Sequence, residues 1–415
     1  MVARTPGGRE VASSILVAPT RNLMLEKIEI EKIIPGGQGI GTLADGKKIF
    51  LWNVLPGETV TNFQITKQKS HYAEGIATEI ANPSKFRVAP KDACYLSTSP
   101  WQIFDFDYEL KEKHALVAES FKQAHVSLDN LEIQPTQTDR NEWFYRNKME
   151  YALFWNHDLA KIELAFHNRG SHGKFPIAQS SLEKPAIFAH AQKIVDDLNA
   201  NHDEARRYQS MLLRANQAGA ISGGLFENRK PHPVFKNLSD NILGQTYSYS
   251  PNGFFQINLP VYELALQEIQ KHIKTRKVLD LYAGVGTIGL SVARDKDLTL
   301  VESNGSAFKE LQNNCKDTSA KPVLAKSEEA LEYIAPDLTV ILDPPRAGCD
   351  KQLIEKLLDQ TPEKIIYLSC NPTTQARDVK LLEPKYIIER IIPFNFFPKT
   401  PHIENLVVMA RKSVL

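Results

Sequence analysis

The residues whose type could make or break bonds gather in the last part of the chain. Cys370 follows the apolar run KIIYLS and opens the loop CNPTT, and Glu404 sits in FPKTPHIE, just ahead of a second apolar run. A free thiol titrates near ~8.5, so nucleophilic work by Cys370 needs an electropositive neighbour or a helix N-terminus. A carboxylate facing the same space can take up a proton. A third stretch, DPPRAG (residues 343–348), ends another apolar run. Its two prolines stiffen the loop, Asp343 can accept a hydrogen bond, and Arg346 can meet a phosphate or a carboxylate. Each has a plainer reading. A lone cysteine is commonly a small buried hydrophobe, an Asp beside prolines can cap a rigid turn, and most glutamates are solvated.

Upstream, KVLDLYAGVGTIG (residues 277–289) reads as an apolar strand, a glycine turn and a helix start. Gly284 and Gly286 let the backbone turn sharply and approach a ligand, while Gly289 allows close helix packing. Glu302, at the end of the next apolar run, can accept hydrogen bonds from ribose hydroxyls. The spacing also matches G-x-G-x-x-G, so a dinucleotide site stays open on the glycines alone, as does a tight turn without a ligand. Asp280 either faces a ligand or anchors the turn.

These residues need a scaffold, and the pattern after residue 245 supplies one. Strand-like runs KVLDLY, LTLVE, KPVLA, LTVILD, KIIYLS, KYIIERIIPF and ENLVVMARK alternate with IGLSVARD, AFKELQNNC, SEEALEYI, KQLIEKLLDQ and QARDVKLLE, which have helical length and spacing. The alternation predicts a doubly wound α/β domain over residues 246–415. It brings the glycine turn, DPPRAG and Cys370 to the carboxyl edge of one sheet, where ligands gather. Residues 23–81 show short alternating runs (EKIEIEKI, KKIFLW, ETVTNFQI) between glycine and proline turns. They predict a small OB-like β-barrel of about five strands, a scaffold that binds oligonucleotides or serves as a plain structural module. Residues 82–245 mix helical and strand-like pieces and read as an α+β domain.

Composition narrows the classes. A chain of 415 residues is too long for one ordinary core. Hydrophobic residues at 42% and charged residues at 24% are ordinary for a folded globular protein. No run approaches the roughly 20 apolar residues of a membrane helix. Residues 1–22 read as a loose N-terminal extension, whose apolar stretch at 11–18 is followed by no cleavage pattern. Cys94, Cys315, Cys349 and Cys370 have neither paired nor metal-ligand spacing, which predicts a reducing compartment, the cytoplasm, and no metal centre. Fifty basic against 49 acidic residues give a net charge of +1, so composition offers no argument for a nucleic-acid partner.

Taken in order, FFQIN (residues 254–258), DLYAGVG, DPPRAG, SCNP and TPHIE resemble the RNA 5-methyluridine (uracil-5-) methyltransferase family, and the barrel resembles the TRAM domain of its ribosomal RNA branch. The resemblance implies a Rossmann-like class I methyltransferase domain behind an OB-like (TRAM) barrel and a central α+β domain. It implies S-adenosylmethionine as cofactor and carbon 5 of a uridine as target, in RNA, with 23S ribosomal RNA ahead of transfer RNA. By the same resemblance Cys370 adds to carbon 6 of uracil and Glu404 removes the carbon 5 proton. Gln256, Tyr282, Gly284, Glu302 and Asp343 bind the cofactor, Phe255 and Arg346 meet the substrate, and Thr287 stands where relatives often have a cofactor-contacting Asn. Trp143, Tyr145, Arg146, Arg169 and His172 can cradle RNA or be core aromatics and solvated cations. TRAM-bearing relatives often hold a four-iron four-sulfur cluster; here only Cys94 remains in that stretch, so no cluster is expected, and hydrogen bonds and packing must support the region. A monomer is expected. Three rivals stay open: methylation of another base, an RNA-binding or chaperone protein, and a dinucleotide oxidoreductase.

Overall fold

The computed structural model describes residues 27–128, 131–171, 173–178, 180–201, 207–227, 229–232 and 235–413. The expected extension at residues 1–22 and the RNA-cradle candidate His172 lie outside them.

Six strands come first among the described residues: β1 (Ile28–Glu29), β2 (Lys32–Ile33), β3 (Gly39–Thr42), β4 (Lys48–Trp52), β5 (Thr59–Gln68) and β6 (Tyr72–Asn82). They pair in the order β1-β5-β6-β4-β3-β2. Since β1 and β2 are one run interrupted at residues 30–31, the two ends of the sheet belong to the same segment and the sheet closes on itself, which removes its edges. Ile28, Ile49, Leu51, Val60 and Ala73 fill the interior, as the alternation of apolar residues requires.

A short helix, α1 (Tyr95–Thr98), and a long one, α2 (Phe106–Gln123), follow. Asp105 caps α2 by accepting from the Tyr108 amide at 3.1 Å. The central antiparallel sheet holds β7 (Lys148–Asn156), β8 (Lys161–His167), β9 (Lys174–Pro176), β10 (Ser210–Ala215), β11 (Ile221–Glu227) and β12 (Lys230–His232), in the order β12-β11-β10-β7-β8-β9. Helix α3 (Pro185–Ala200) covers one face through Ile187, Ala191 and Val195, which pack on Met149, Tyr151 and Leu213. A hairpin, β13 (Leu238–Ile242) and β14 (Gln245–Tyr249), leads into α4 (Leu259–His272).

The last sheet carries β15 (Lys277–Leu281), β16 (Asp297–Glu302), β17 (Lys321–Leu324), β18 (Leu338–Leu342), β19 (Lys364–Ser369), β20 (Tyr386–Phe394) and β21 (Glu404–Arg411), in the order β17-β16-β15-β18-β19-β21-β20. The first five are parallel; β21 enters antiparallel between β19 and β20. Every residue of β18 is buried, as befits a central strand covered on both faces. Helices α5 (Thr287–Val292), α6 (Gly305–Asn314), α7 (Lys351–Gln360) and α8 (Pro372–Leu382) connect the strands.

Three features differ from the sequence reading. Helix α2, assigned there to the central domain, buries Leu116, Val117 and Phe121 in the core that holds Val407 and Met409, so it belongs to the covering of the last sheet. The hairpin residues Leu238, Tyr247 and Tyr249 share a core with α4 and β15, so the boundary placed at residue 245 falls inside a packed unit. The stretch SEEALEYI forms two 3₁₀ turns, Ser327–Glu329 and Leu331–Tyr333, in place of a helix. Glu328 and Glu332 would repel one another at helical i,i+4 spacing, and Pro336 turns the preceding residue away from helical geometry.

Cys94 is buried beside a polar knot. Asp92 accepts from Gln102 Nε2 and the Ser181 amide, each at 2.8 Å, and from Ser181 Oγ at 2.6 Å, tying the segment after the barrel to the approach to α3. Asp92 is 7% exposed. Asp92→Ala strands these donors, and we expect it to cost about 1–3 kcal/mol, read as a lower urea midpoint at unchanged slope. An unchanged midpoint would show that the knot contributes nothing.

Candidate active site

The cleft is built at the carboxyl ends of the parallel strands. After β15 the chain passes through Tyr282, at φ +66°, then Gly284 at φ +59° and Gly286 at φ +89°, before α5 begins. Left-handed backbone is costly for a tyrosine, and Ala283 and Val285, both buried, pin the turn from either side. Asp280 takes the anchoring part of its two readings. It is fully buried beneath α5 and accepts the Gly289 amide at 2.8 Å. A Cβ on Gly289 would stand 2.7 Å from Asp280 Oδ2, which is why glycine is required there. Burial, eased by the Gly289 amide, pushes Asp280 up to about 8.

Glu302 ends β16 and accepts the Gly284 amide at 2.8 Å and the Asn304 amide at 2.5 Å. Both carboxylate oxygens are thereby oriented. Nothing lies within 4 Å of where a Cβ of Gly284 would stand, so bare backbone floors the space beside that carboxylate. An oriented acceptor over open backbone suits a ribose diol, and the residues fit a nucleoside-bearing cofactor. Thr287 turns elsewhere, bonding the Tyr262 hydroxyl at 2.8 Å.

A cavity of about 1070 Å³ runs from this turn across the sheet edge, and Gln256, Tyr282, Gly284, Glu302, Asp343, Arg346, Cys370 and Glu404 all line it. Cys370 leaves β19 one residue before Asn371, whose side chain caps α8 by accepting the Thr373 amide at 3.2 Å. The DPPRAG loop is strapped to that helix: Asn371 Nδ2 and Thr374 Oγ1 donate to the Arg346 carbonyl at 2.9 and 3.1 Å, and Arg377 donates to the Ala347 carbonyl at 3.0 Å. Gly348, at φ +83°, leaves room for this, since a Cβ there would meet Asp378 and Arg377 within 2.6 Å.

The opposing strand direction of β21 completes the site. Ser369 pairs with Asn405, so the end of β19 lies beside the start of β21, and Cys370 and Glu404 reach one space from 34 residues apart in sequence. Glu404 is 5% exposed. Burial, and then the nearby Asp343 carboxylate, hold it well above the usual carboxylate range. Burial lifts Asp343 to about 7. Burial and the Glu404 charge push the Cys370 thiol up to about 11, against the pull of Arg346. One guanidinium thus faces a thiol and two carboxyl groups that resist ionising together, the signature of an acid–base site. Arg346 Nη2 also donates to His402 Nδ1 at 3.2 Å. Removal from bulk water and the Arg346 charge push His402 down to about 4, so the ring is neutral with its proton on Nε2.

One substrate assignment is corrected. Phe255 is 4% exposed, stacks on Tyr249 with centroids 3.8 Å apart, and does not line the cavity. Its neighbour Phe254 is 76% exposed and does. The local backbone decides this. Arg214 Nη2 donates to the Phe255 carbonyl at 2.7 Å and Asn147 Nδ2 to the Gln256 carbonyl at 3.1 Å, so the central sheet grips the segment and turns consecutive side chains to opposite sides. Two adjacent phenylalanines gave no signal to choose between them. Thr400 and His402 also line the cavity without having been given a role. Of the central-domain candidates, Arg146 reaches the cavity; Tyr145 is buried, donating to the Pro398 carbonyl at 2.9 Å, and Arg169 lies over the Trp52 ring of the barrel.

Known proteins resemble this architecture throughout. Residues 331–412 match the family described as tRNA (Uracil-5-)-methyltransferase, and residues 262–365 match the methyltransferase small domain. An "uncharacterized RNA methyltransferase" of Lactiplantibacillus plantarum is 28% identical, the match covering 90% of this chain and 95% of that protein. A protein of the same description from Staphylococcus aureus is 28% identical over 91% of this chain and 96% of its own length. The crystal structure of Pyrococcus abyssi tRNA (uracil-54, C5)-methyltransferase in complex with S-adenosyl-L-homocysteine superposes with a TM-score of 0.74 at 22% identity, covering 93% of this chain and all of that one. The fold is that of a class I methyltransferase with mixed α/β content.

Proposed function

Starting from a chain whose residues 331–412 match the family described as tRNA (Uracil-5-)-methyltransferase, we propose that it is an S-adenosylmethionine-dependent RNA methyltransferase acting on carbon 5 of a uridine through a covalent cysteine adduct. The observation that carries this reading is the convergence of Cys370, Glu404 and the Glu302 end of the glycine turn on one cavity.

Carbon 5 of uracil is a poor nucleophile until electron density is pushed into the ring. The Cys370 thiolate adds at carbon 6, forming the S–C bond, and the displaced π electrons make the ring enolate-like with carbon 5 nucleophilic. S-adenosylmethionine, when bound, supplies an electrophilic methyl group for carbon 5. Glu302 and the Gly284 backbone would hold its ribose. Glu404 then takes the carbon 5 proton, the electrons of that C–H bond restore the ring double bond, and the Cys370 thiolate leaves carbon 6. Arg346, beside Cys370, favours the thiolate both when it attacks and when it leaves. Phe254, exposed at the cavity, offers an aromatic face to a base, and the target uridine must be extruded from its stack to present carbon 6.

Ribosomal RNA is the substrate that the barrel's resemblance supports. Transfer RNA is the second reading, supported by the name of the Pyrococcus neighbour. Mapping 5-methyluridine by mass spectrometry in total RNA, with and without the gene, tests both. Loss from ribosomal RNA is the expected result, loss from transfer RNA selects the second reading, and no loss from either removes the proposal.

A further inference from the structure

Residues 395–403, which link β20 to β21 and end at Glu404, carry no regular structure, so side contacts alone set their place. Lys399 adopts φ +62°, a strained backbone for a non-glycine residue that persists only where its surroundings over-determine it. The first set of contacts comes from α2. Glu109 accepts the Lys399 amide at 3.0 and 3.1 Å and Asn395 Nδ2 at 3.0 Å. Lys113 donates to Asn395 Oδ1 at 2.5 Å and to the Phe397 carbonyl at 3.0 Å, and pairs with Glu109 at 3.0 Å. Both charged side chains are fully buried. A buried ion pair is a poor source of stability compared with apolar packing; this one instead specifies a single loop conformation through five bonds to it.

The second set comes from Trp101, in the 3₁₀ turn Pro100–Ile103 that follows the barrel, and from the barrel turn at Gly37. Trp101 takes the Lys399 carbonyl with its amide at 3.1 Å and donates from its indole to the Gly37 carbonyl at 3.1 Å. Gly37 packs so closely on Pro401 that an added Cβ would stand 2.2 Å from Pro401 Cβ. A turn of the barrel therefore abuts the chain three residues before Glu404.

We infer that the Glu109–Lys113 pair and the Gly37 turn are positioning residues for proton removal from carbon 5, seating the loop that ends at Glu404. The inference rests on Glu404 being the base. Cys370 hangs on β19 and α8 and none of these bonds falls on it; the loop reaches the thiol only through the His402–Arg346 hydrogen bond, so their loss slows resolution of the adduct more than the addition and methyl-transfer steps, and adduct accumulates.

The test uses full-length Glu109→Gln and Gly37→Ala proteins, S-adenosylmethionine with a labelled methyl group, and total RNA from cells lacking the gene. Thermal melting and S-adenosylhomocysteine calorimetry establish that each is folded with a working cofactor site; Gly37→Ala, in a barrel turn, carries the test if Glu109→Gln does not fold. The expected result is release of 5-methyluridine slowed about 100-fold, the order of loss that a small misplacement of a catalytic group brings, with a labelled protein–RNA adduct accumulating on denaturing gels. Wild-type release from a folded variant, or slow release without adduct, overturns the positioning. Glu404→Gln is run alongside: if it too holds no adduct, the base assignment falls and takes the positioning with it; if it holds adduct and the other two do not, the positioning alone falls.

Discussion

Cys370→Ala is expected to abolish 5-methyluridine formation, with a loss of about 10⁴-fold or more, the scale seen when a covalent nucleophile is removed. S-adenosylhomocysteine binding should be unchanged, because Glu302 and the glycine turn lie on other strands. No second thiol can substitute. Cys94, Cys315 and Cys349 are all buried, and none lines the cavity. Serine is no replacement either, since its hydroxyl lacks the acidity to act as an anion at this pH. The pH dependence follows from the thiol standing near 11 in the free protein. The attacking form is the thiolate, whose fraction grows about tenfold per pH unit below that value, so kcat/KM should climb through neutrality toward alkaline pH. Methyl transfer by folded Cys370→Ala at the normal rate would instead favour a base that needs no covalent activation. A flat kcat/KM profile would mean that the thiolate already exists before RNA binds.

Glu404→Gln should have the second largest effect and a different signature. The amide keeps the shape of the side chain but cannot accept the carbon 5 proton, so addition and methyl transfer proceed and the chain remains bonded to methylated RNA. Product release should fall by about 10²–10⁴-fold, the usual contribution of a positioned base. A methyl-labelled band of protein plus RNA, stable to denaturant, is the readout; normal turnover without that band would remove Glu404 from its role. In the unaltered protein the same step should weaken in acid. The working form is the carboxylate, which exists above the group's pKa, and burial has raised that pKa well above 4.5. Lowering the pH therefore protonates Glu404 early, and trapped adduct should rise as pH falls.

Much of the catalytic end was legible because its signals are local. Strands β15 to β21 announce themselves as apolar runs, and Asp343, Cys370 and Glu404 each stand at a run's border; strand order brings the first two to one edge, and Glu404 joins them only because β21 runs antiparallel. What escaped was decided by contacts distant in sequence. The helical pattern of α2 is plain, yet nothing in it says that it will cover the last sheet, and nothing in the i,i+4 spacing of Glu109 and Lys113 marks them as fully buried. Phe254 and Phe255 are identical in type, and only the grip of Arg214 and Asn147 on the carbonyls beyond them decides which ring faces the cavity. Asp280 has two readings in sequence, and only the Gly289 amide, nine residues on, decides between them.

The reversed course of the last strand has one more implication. Because Ser369 and Asn405 are paired neighbours, the spacing of sulfur and carboxylate is set by the ladder and by the seated loop 395–403 that enters it, rather than by α8 and its handover to β20. Residues added or deleted where α8 hands over to β20 would change the contour of the outer surface and leave the two reactive groups where they are. A slip of a single residue between β19 and β21 would be far more damaging, since it would send the carboxylate to the opposite face of the sheet.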